Sequence, residues 1–219
     1  MTVISSKSQI GIALVGAGGH AAVVLDALRQ SGFAGPVAVF DSAPTGRDLL
    51  GEPVQKGLPT QDSHPAQNWL VHVAIGDNRT REGAAAALTG RGYGLATIVH
   101  PSAIVSSHSN IGVGSCMLAR TVVSPRSNIG FGCIVNTGAI VEHDCNVGNW
   151  AHISCGAIMT GGCKAGDRTW IGAGAVLRQQ SKVCDDVVIG ANGTVLNDIE
   201  HPGTWVGTPV HRLEGRNET

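Results

Sequence analysis

The chain has 219 residues, 42% of them hydrophobic, 4% aromatic and 14% charged, with a formal net charge of −1. That length allows one or two domains with an ample core, and a near-neutral balance without any Lys/Arg cluster excludes the electrostatic footprint of a nucleic-acid binder. No apolar run is long enough to span a bilayer and the opening MTVISSKSQI lacks the charged-then-apolar order of a signal peptide, so a cytoplasmic enzyme or scaffold is expected.

Taken in order, Met1 to Gln9 reads as a frayed terminus. Ile10 to Val15 is a short apolar strand. The turn Gly16-Ala17-Gly18-Gly19-His20-Ala21 leads from it into the helical pattern AAVVLDALRQSG, with a glycine stop at Gly32. Val37 to Phe40 is a second strand, closed by Asp41. Ser42 to Asn68 carries several Pro and Gly and reads as loops, with one short element around Val54. Trp69 to Ile75 is a third strand ending at Gly76-Asp77-Asn78, Arg79 to Thr89 an Ala-rich helix, and Leu95 to Val99 a last strand. Alternating strands and helices imply a small parallel sheet with crossovers. The glycine turn fits G-x-G-x-x-A, but residues 1–97 supply too little sheet for a hydride-transfer enzyme. What remains is a helix N-terminus and bare backbone N–H groups that a phosphate or sugar can approach, with Gly76 at the end of a neighbouring strand. The alternative is a tight turn without a ligand.

From Ile111 the pattern changes. An aliphatic residue returns every sixth position through Met117, Val123, Ile129 and onward to Val195, and four residues after each comes a second, mostly small column that includes Ser115, Cys133, Cys145 and Cys163. A period of six fits neither a helix nor a half-buried strand; it marks a hexapeptide β-solenoid. Three hexads close a triangular coil of eighteen residues, and coils stack at strand spacing, ~4.8 Å, so residues eighteen apart become neighbours. One extra residue near Asn110 is read as setting the Ile98 and Ile104 hexads off from the rest. The fold expected is α/β plus β-solenoid: a small Rossmann-like domain over 1–97, a parallel β-helix over 98–212 and a loose polar tail over 213–219. The cysteines read as small core residues of a reducing compartment.

The densest polar group in the repeat is Glu142-His143-Asp144. His143, third in its hexad, points outward near a corner. A lone exposed histidine is usually a loop residue, but here Asp144 can orient the imidazole, His152 follows half a coil later, and the eighteen-residue rule sets Gly161 beside His143 on the next coil. A general base beside a bare backbone N–H is an acyl-transfer site in outline. A metal site lacks a third ligand at matching height, and neither Cys145 nor Cys155 has an activating charge.

The segments NTGAIVEHDCNVG, HISCGAIMTGG, WIGAGAVL and WVGTPV, with GAGGHA near the start and HPSAIVS at the junction, resemble the sialic acid O-acetyltransferase type of sugar O- and N-acetyltransferases, within the left-handed β-helix acyltransferases. That resemblance implies a homotrimer with acetyl-CoA between neighbouring solenoids and a nucleotide-linked amino sugar on the first domain; for want of a third ligand no metal is expected. It implies His143 as catalytic base, Asp144 as its helper and Gly161 as the oxyanion amide. His152, Gly161, Ala173 and Ala191 match cofactor contacts, and Gly18, Gly19, His20, Asp41, Ser42 and Gly76 match substrate contacts, although Ser42 departs from an acidic residue found in some relatives. The implied reaction is acetyl transfer to the C4 amine of a nucleotide-linked 4-amino-4,6-dideoxy sugar of polysaccharide biosynthesis, with GDP-perosamine the first candidate. O-acetylation of a sialic acid and a non-catalytic scaffold are the alternatives.

Overall fold

A computed structural model describes residues 10–213; the expected frayed start and the tail beyond residue 213 lie outside the described residues. The first part contains β1 (Gly11–Val15), α1 (Gly19–Gln30), β2 (Val37–Asp41), β3 (Asp48–Leu49), β4 (Glu52–Lys56), β5 (Trp69–Val73), α2 (Asn78–Thr89) and β6 (Gly94–Leu95). They form one sheet in the order β3-β4-β2-β1-β5-β6, parallel except for the β3–β4 hairpin. β1 is central because all five of its residues are apolar or glycine and buried on both faces. The Ser42–Asn68 stretch is therefore more ordered than expected. Its hairpin lacks an apolar run, and Pro53 is tolerated because the strand lies near the sheet edge.

The expected single strand from Leu95 to Val99 is two. Gly94–Leu95 pairs with β5, whereas Ile98–Val99 pairs with Cys116–Met117 as the first rung of the solenoid. The solenoid register also corrects the expectation at Asn110: Val99 stands opposite Met117, Val105 opposite Val123 and Asn110 opposite Asn128, so no residue is inserted. Val99 and Val105 are the inward residues. Ile98 and Ile104 point outward, Ile98 into the first sheet's core and Ile104 into solvent at 67% exposure. Each hexad turns its corner with one left-handed residue, every sixth from Gly114 to Asn192. Non-glycine residues there cost ~1 kcal/mol or more, offset by coil-to-coil bonds such as Gly162 N–H to the His143 carbonyl at 2.9 Å.

The three solenoid faces differ in their outward columns. One runs Ile98, Cys116, Ile134, His152, Trp170, Val188; its first four residues are buried, three of them in the core with Leu25 and Leu28 of α1, while Trp170 and Val188 remain 39% and 37% exposed. We call it the docked face. A second is polar, a ladder in which Asn110 donates to Asn128 and Asn128 to Asn146 at 2.7 and 3.0 Å. The third is aliphatic: Ile104, Val122, Ile140, Ile158, Val176, then Thr194. Gly203–Val206 and His211–Arg212 extend the docked face at its far end. Among the described residues no helix is long and apolar enough to cross a membrane.

α2 is fastened to the solenoid by Arg81, 1% exposed, which donates to the carbonyls of Gly132 (2.8 Å), Trp150 (2.6 Å), Ile75 (2.9 Å) and Gly76 (3.0 Å) and to Asn78 Oδ1 (2.8 Å). All of its acceptors are neutral.

Candidate active site

Two groups of residues stand out, on different sides of the molecule. The first is a cradle at the carboxyl ends of β1, β2 and β5, the point where strand order reverses and parallel sheets gather ligands. The N-cap of α1 is Gly18, with no side chain to satisfy the first-turn N–H groups. A Cβ at Gly18, Gly19 or Gly76 would meet no atom within 4 Å. The bare glycines thus leave space that packing of the chain does not require. Asp41 is used structurally: Oδ2 accepts from Ala17 N–H at 2.8 Å and Oδ1 from Ala43 N–H at 2.9 Å, which fixes the glycine turn to the end of β2. Ser42 beside it is exposed.

His20 and His152 meet at the inner wall of this cradle, with ring centroids 6.3 Å apart. His152 stacks on Trp170 (5.3 Å, 10°), and its Nε2 lies 3.1 Å from Asn136 Nδ2. With Asn136 donating, His152 is the Nδ1–H tautomer. The Gly76 carbonyl is near enough to raise the imidazole's basicity slightly, yet Nδ1 has no hydrogen-bond partner in good geometry, and neither has His20 Nε2. Burial, with neighbouring positive charges including Arg81, pushes His20 down to about 3 and His152 to about 4. His72 beneath them is pushed down to about 4 by burial, against a hydrogen bond to the Ala96 carbonyl. All three are neutral at pH 7.

This burial has a measurable consequence. An unfolded histidine binds its proton near pH 6.5 whereas these three do so only at about 3 to 4. As pH falls below 6.5 the unfolded state therefore gains protons that the folded state refuses, and stability drops by up to ~1.4 kcal/mol per group per pH unit. Melting temperature is expected to fall steeply between pH 6.5 and 4. A flat profile over that window would contradict neutral burial.

The second group lies at the corner between the aliphatic and asparagine faces. His143 Nδ1 is 2.7 Å from Asp144 Oδ2, and Asp144 is gripped from the coil below by Arg126, Nε to Oδ1 at 2.6 Å and Nη2 to Oδ2 at 2.7 Å. Arg126 first, then His143, hold the Asp144 carboxyl far below the usual carboxylate range. The imidazole lies over Gly161 so closely that a Cβ there would be 2.6 Å from His143 Cε1. Gly162 N–H and the Gly161 carbonyl both bond between coils, while among the described residues Gly161 N–H meets no acceptor. A base with a fixed tautomer beside a free amide can take a proton and hold an oxyanion.

The sequence reading grouped His152 with His143, half a coil apart. Half a coil is the opposite side of a triangular prism, so within one chain the structure does not bring the two together: His152 adjoins the cradle and His143 faces away from it. Ala173 and Ala191 are exposed at a further corner, between the docked and aliphatic faces. Arg126 and Arg81 were missed, although stepping back eighteen residues from Asp144 leads to Arg126. Among the described residues, no three His, Cys, Asp or Glu side chains cluster closely enough to hold a metal ion. Burial pushes the Cys116 and Cys133 thiols up to about 12, in keeping with core packing.

Residues 11–88 match the family of the PglD N-terminal domain. Among solved structures, the chain is similar to the acetyltransferase domain of PglB from Neisseria gonorrhoeae, at 35% identity over 93% of this chain and 99% of that one, TM-score 0.88. It is also similar to PerB from Caulobacter crescentus in complex with CoA and GDP-perosamine (33% identity, 93% and 97% covered, TM-score 0.87). A third is WeeI from Acinetobacter baumannii (26%, 93% and 100%, TM-score 0.85). No curated protein matches the sequence. Near-complete coverage at this identity, over both the small sheet and the solenoid, is not a likeness of fold alone: the chain belongs to the hexapeptide-repeat family of left-handed β-helix, acetyl-CoA-dependent nucleotide-sugar N-acetyltransferases.

Proposed function

We propose that this enzyme acetylates the C4 amine of a nucleotide-linked 4-amino-4,6-dideoxy sugar, with GDP-perosamine the first candidate because PerB is bound to it. The observation that carries the catalytic reading is the His143–Asp144 pair lying over the free Gly161 amide. The neutral amine attacks the thioester carbon, and Gly161 N–H stabilises the oxygen that becomes negative. His143 Nε2 takes the amine proton and returns it to the departing thiolate as the amide forms. No acyl-enzyme is required.

The cradle and the base are brought together by a second copy. The aliphatic face is flanked by the His143 corner on one side and the Ala173/Ala191 corner on the other. Packing these faces about a threefold axis sets His143 of one copy against the neighbour's exposed alanines, next to the neighbour's His152 and Trp170. Acetyl-CoA then lies along that seam, and the sugar rests on Gly18, Gly19, His20 and Gly76, braced by Asp41 and Ser42. His20 Nε2 and His152 Nδ1, buried without a hydrogen-bond partner in good geometry, lie at the inner wall against which the ligands would rest. A panel of GDP-, UDP- and dTDP-linked 4-amino sugars and free sialic acid, incubated with acetyl-CoA and followed by thiol release, tests the reading. Turnover of a nucleotide amino sugar is expected; exclusive turnover of sialic acid would replace the proposal with O-acetylation.

A further inference from the structure

We propose that Arg126 is a positioning residue for the transfer reaction, acting on His143 through the Asp144 carboxylate. The inference rests on the assignment of His143 as base. Arg126 and Asp144 are both left-handed corner residues, eighteen apart, so their side chains leave consecutive coils in the same direction one strand spacing apart. The guanidinium engages both carboxylate oxygens, and Oδ2 is shared with the imidazole. Half exposed on a corner, the carboxylate would otherwise rotate freely; the two-point grip fixes the oxygen that fixes the ring. The same fork recurs at the corner beside α2, Arg168 on Asp186 at 2.8 and 2.9 Å, but there the carboxylate's further partner is Arg79. Of these two forks, it is the Arg126 fork that leads to an imidazole. The other charge facing His143 is Glu142, whose carboxylate accepts from His143 N–H at 3.3 Å; the turn above, from Thr160 to Cys163, brings none.

The test is a double-mutant cycle with a second, spectroscopic arm. Arg126→Ala is expected to lower kcat about tenfold through misplacement of the base, with each KM within about twofold. Arg126→Lys is expected to restore only part of the loss, since an ammonium cannot reproduce the fork. In an Asp144→Asn background, Arg126→Ala should cost little more. Equal fold-losses in both backgrounds, or a change confined to KM, would overturn the proposal. Nitrogen-15 shifts of His143 provide the arm that needs no turnover: the Nδ1–H tautomer should dominate in the wild type and give way to a mixture in Arg126→Ala. An unchanged tautomer would sink the positioning role even if His143 is the base. Full activity in His143→Ala would instead sink the assignment of the base.

Discussion

His143→Ala is expected to lower kcat by ~10²–10⁴ while leaving both KM values nearly unchanged, the loss typical of a missing general base. The amine must shed a proton as the bond to the acetyl carbon forms, and at this corner the imidazole is the group within reach. Asp144→Ala should cost less, because it removes the orienting carboxylate but not the proton acceptor. If base and cradle come from different copies, mixing two inactive proteins should restore turnover. One would be His143→Ala; the other Gly18→Trp, in which an indole occupies the open space of the cradle. Retention of more than about a tenth of kcat in His143→Ala would point to another base, with His152 the next to test. Failure to recover after the two proteins are unfolded and refolded together would overturn a site shared between copies.

Arg81→Met should give the largest loss of stability, ~3 kcal/mol. Methionine has a similar length and relieves the cost of a buried charge, but it leaves the carbonyls of Ile75, Gly76, Gly132 and Trp150 without their donor inside the protein. Several buried orphans outweigh one relieved cation. For a chain of this size the melting temperature should drop by roughly 6–12 °C. Arg81→Lys should not rescue it, since three donors on a point charge cannot reach acceptors spread over three segments, 75–78, Gly132 and Trp150. The KM for the sugar should also rise, because Gly76 belongs to the cradle. An unchanged melting temperature would mean that α2 is held by its apolar contacts alone.

What could be read in the sequence was whatever repeats. The inward column was legible because every sixth side chain must fill the same interior. Its start was misread because Ile98 and Ile104 are as apolar as the inward Val99 and Val105 beside them, and hydrophobicity cannot say which of two adjacent aliphatics turns in. The β3–β4 hairpin was illegible because it contains Pro53 and little apolar surface. The Ile98–Val99 rung was hidden by its continuity with Leu95, and only pairing partners separate the two. His143, Asp144 and Gly161 could be related by counting eighteens. His20 and His152 could not, since their contact depends on how the sheet docks on the solenoid, and that in turn depends on Arg81, which in sequence is one cation in an Ala-rich helix.

The uniform coil also makes the solenoid a ruler. Each coil adds one strand spacing, ~4.8 Å, between the Gly161 amide and the far end of the molecule. The distance over which an extended acyl carrier can lie is therefore written in chain length. Inserting eighteen residues beyond the Ala191 corner would lengthen that track by one graduation without moving His143, Asp144 or Gly161. Inserting any number that is not a multiple of eighteen would rotate every later side chain to a different face, and the scale would lose its zero.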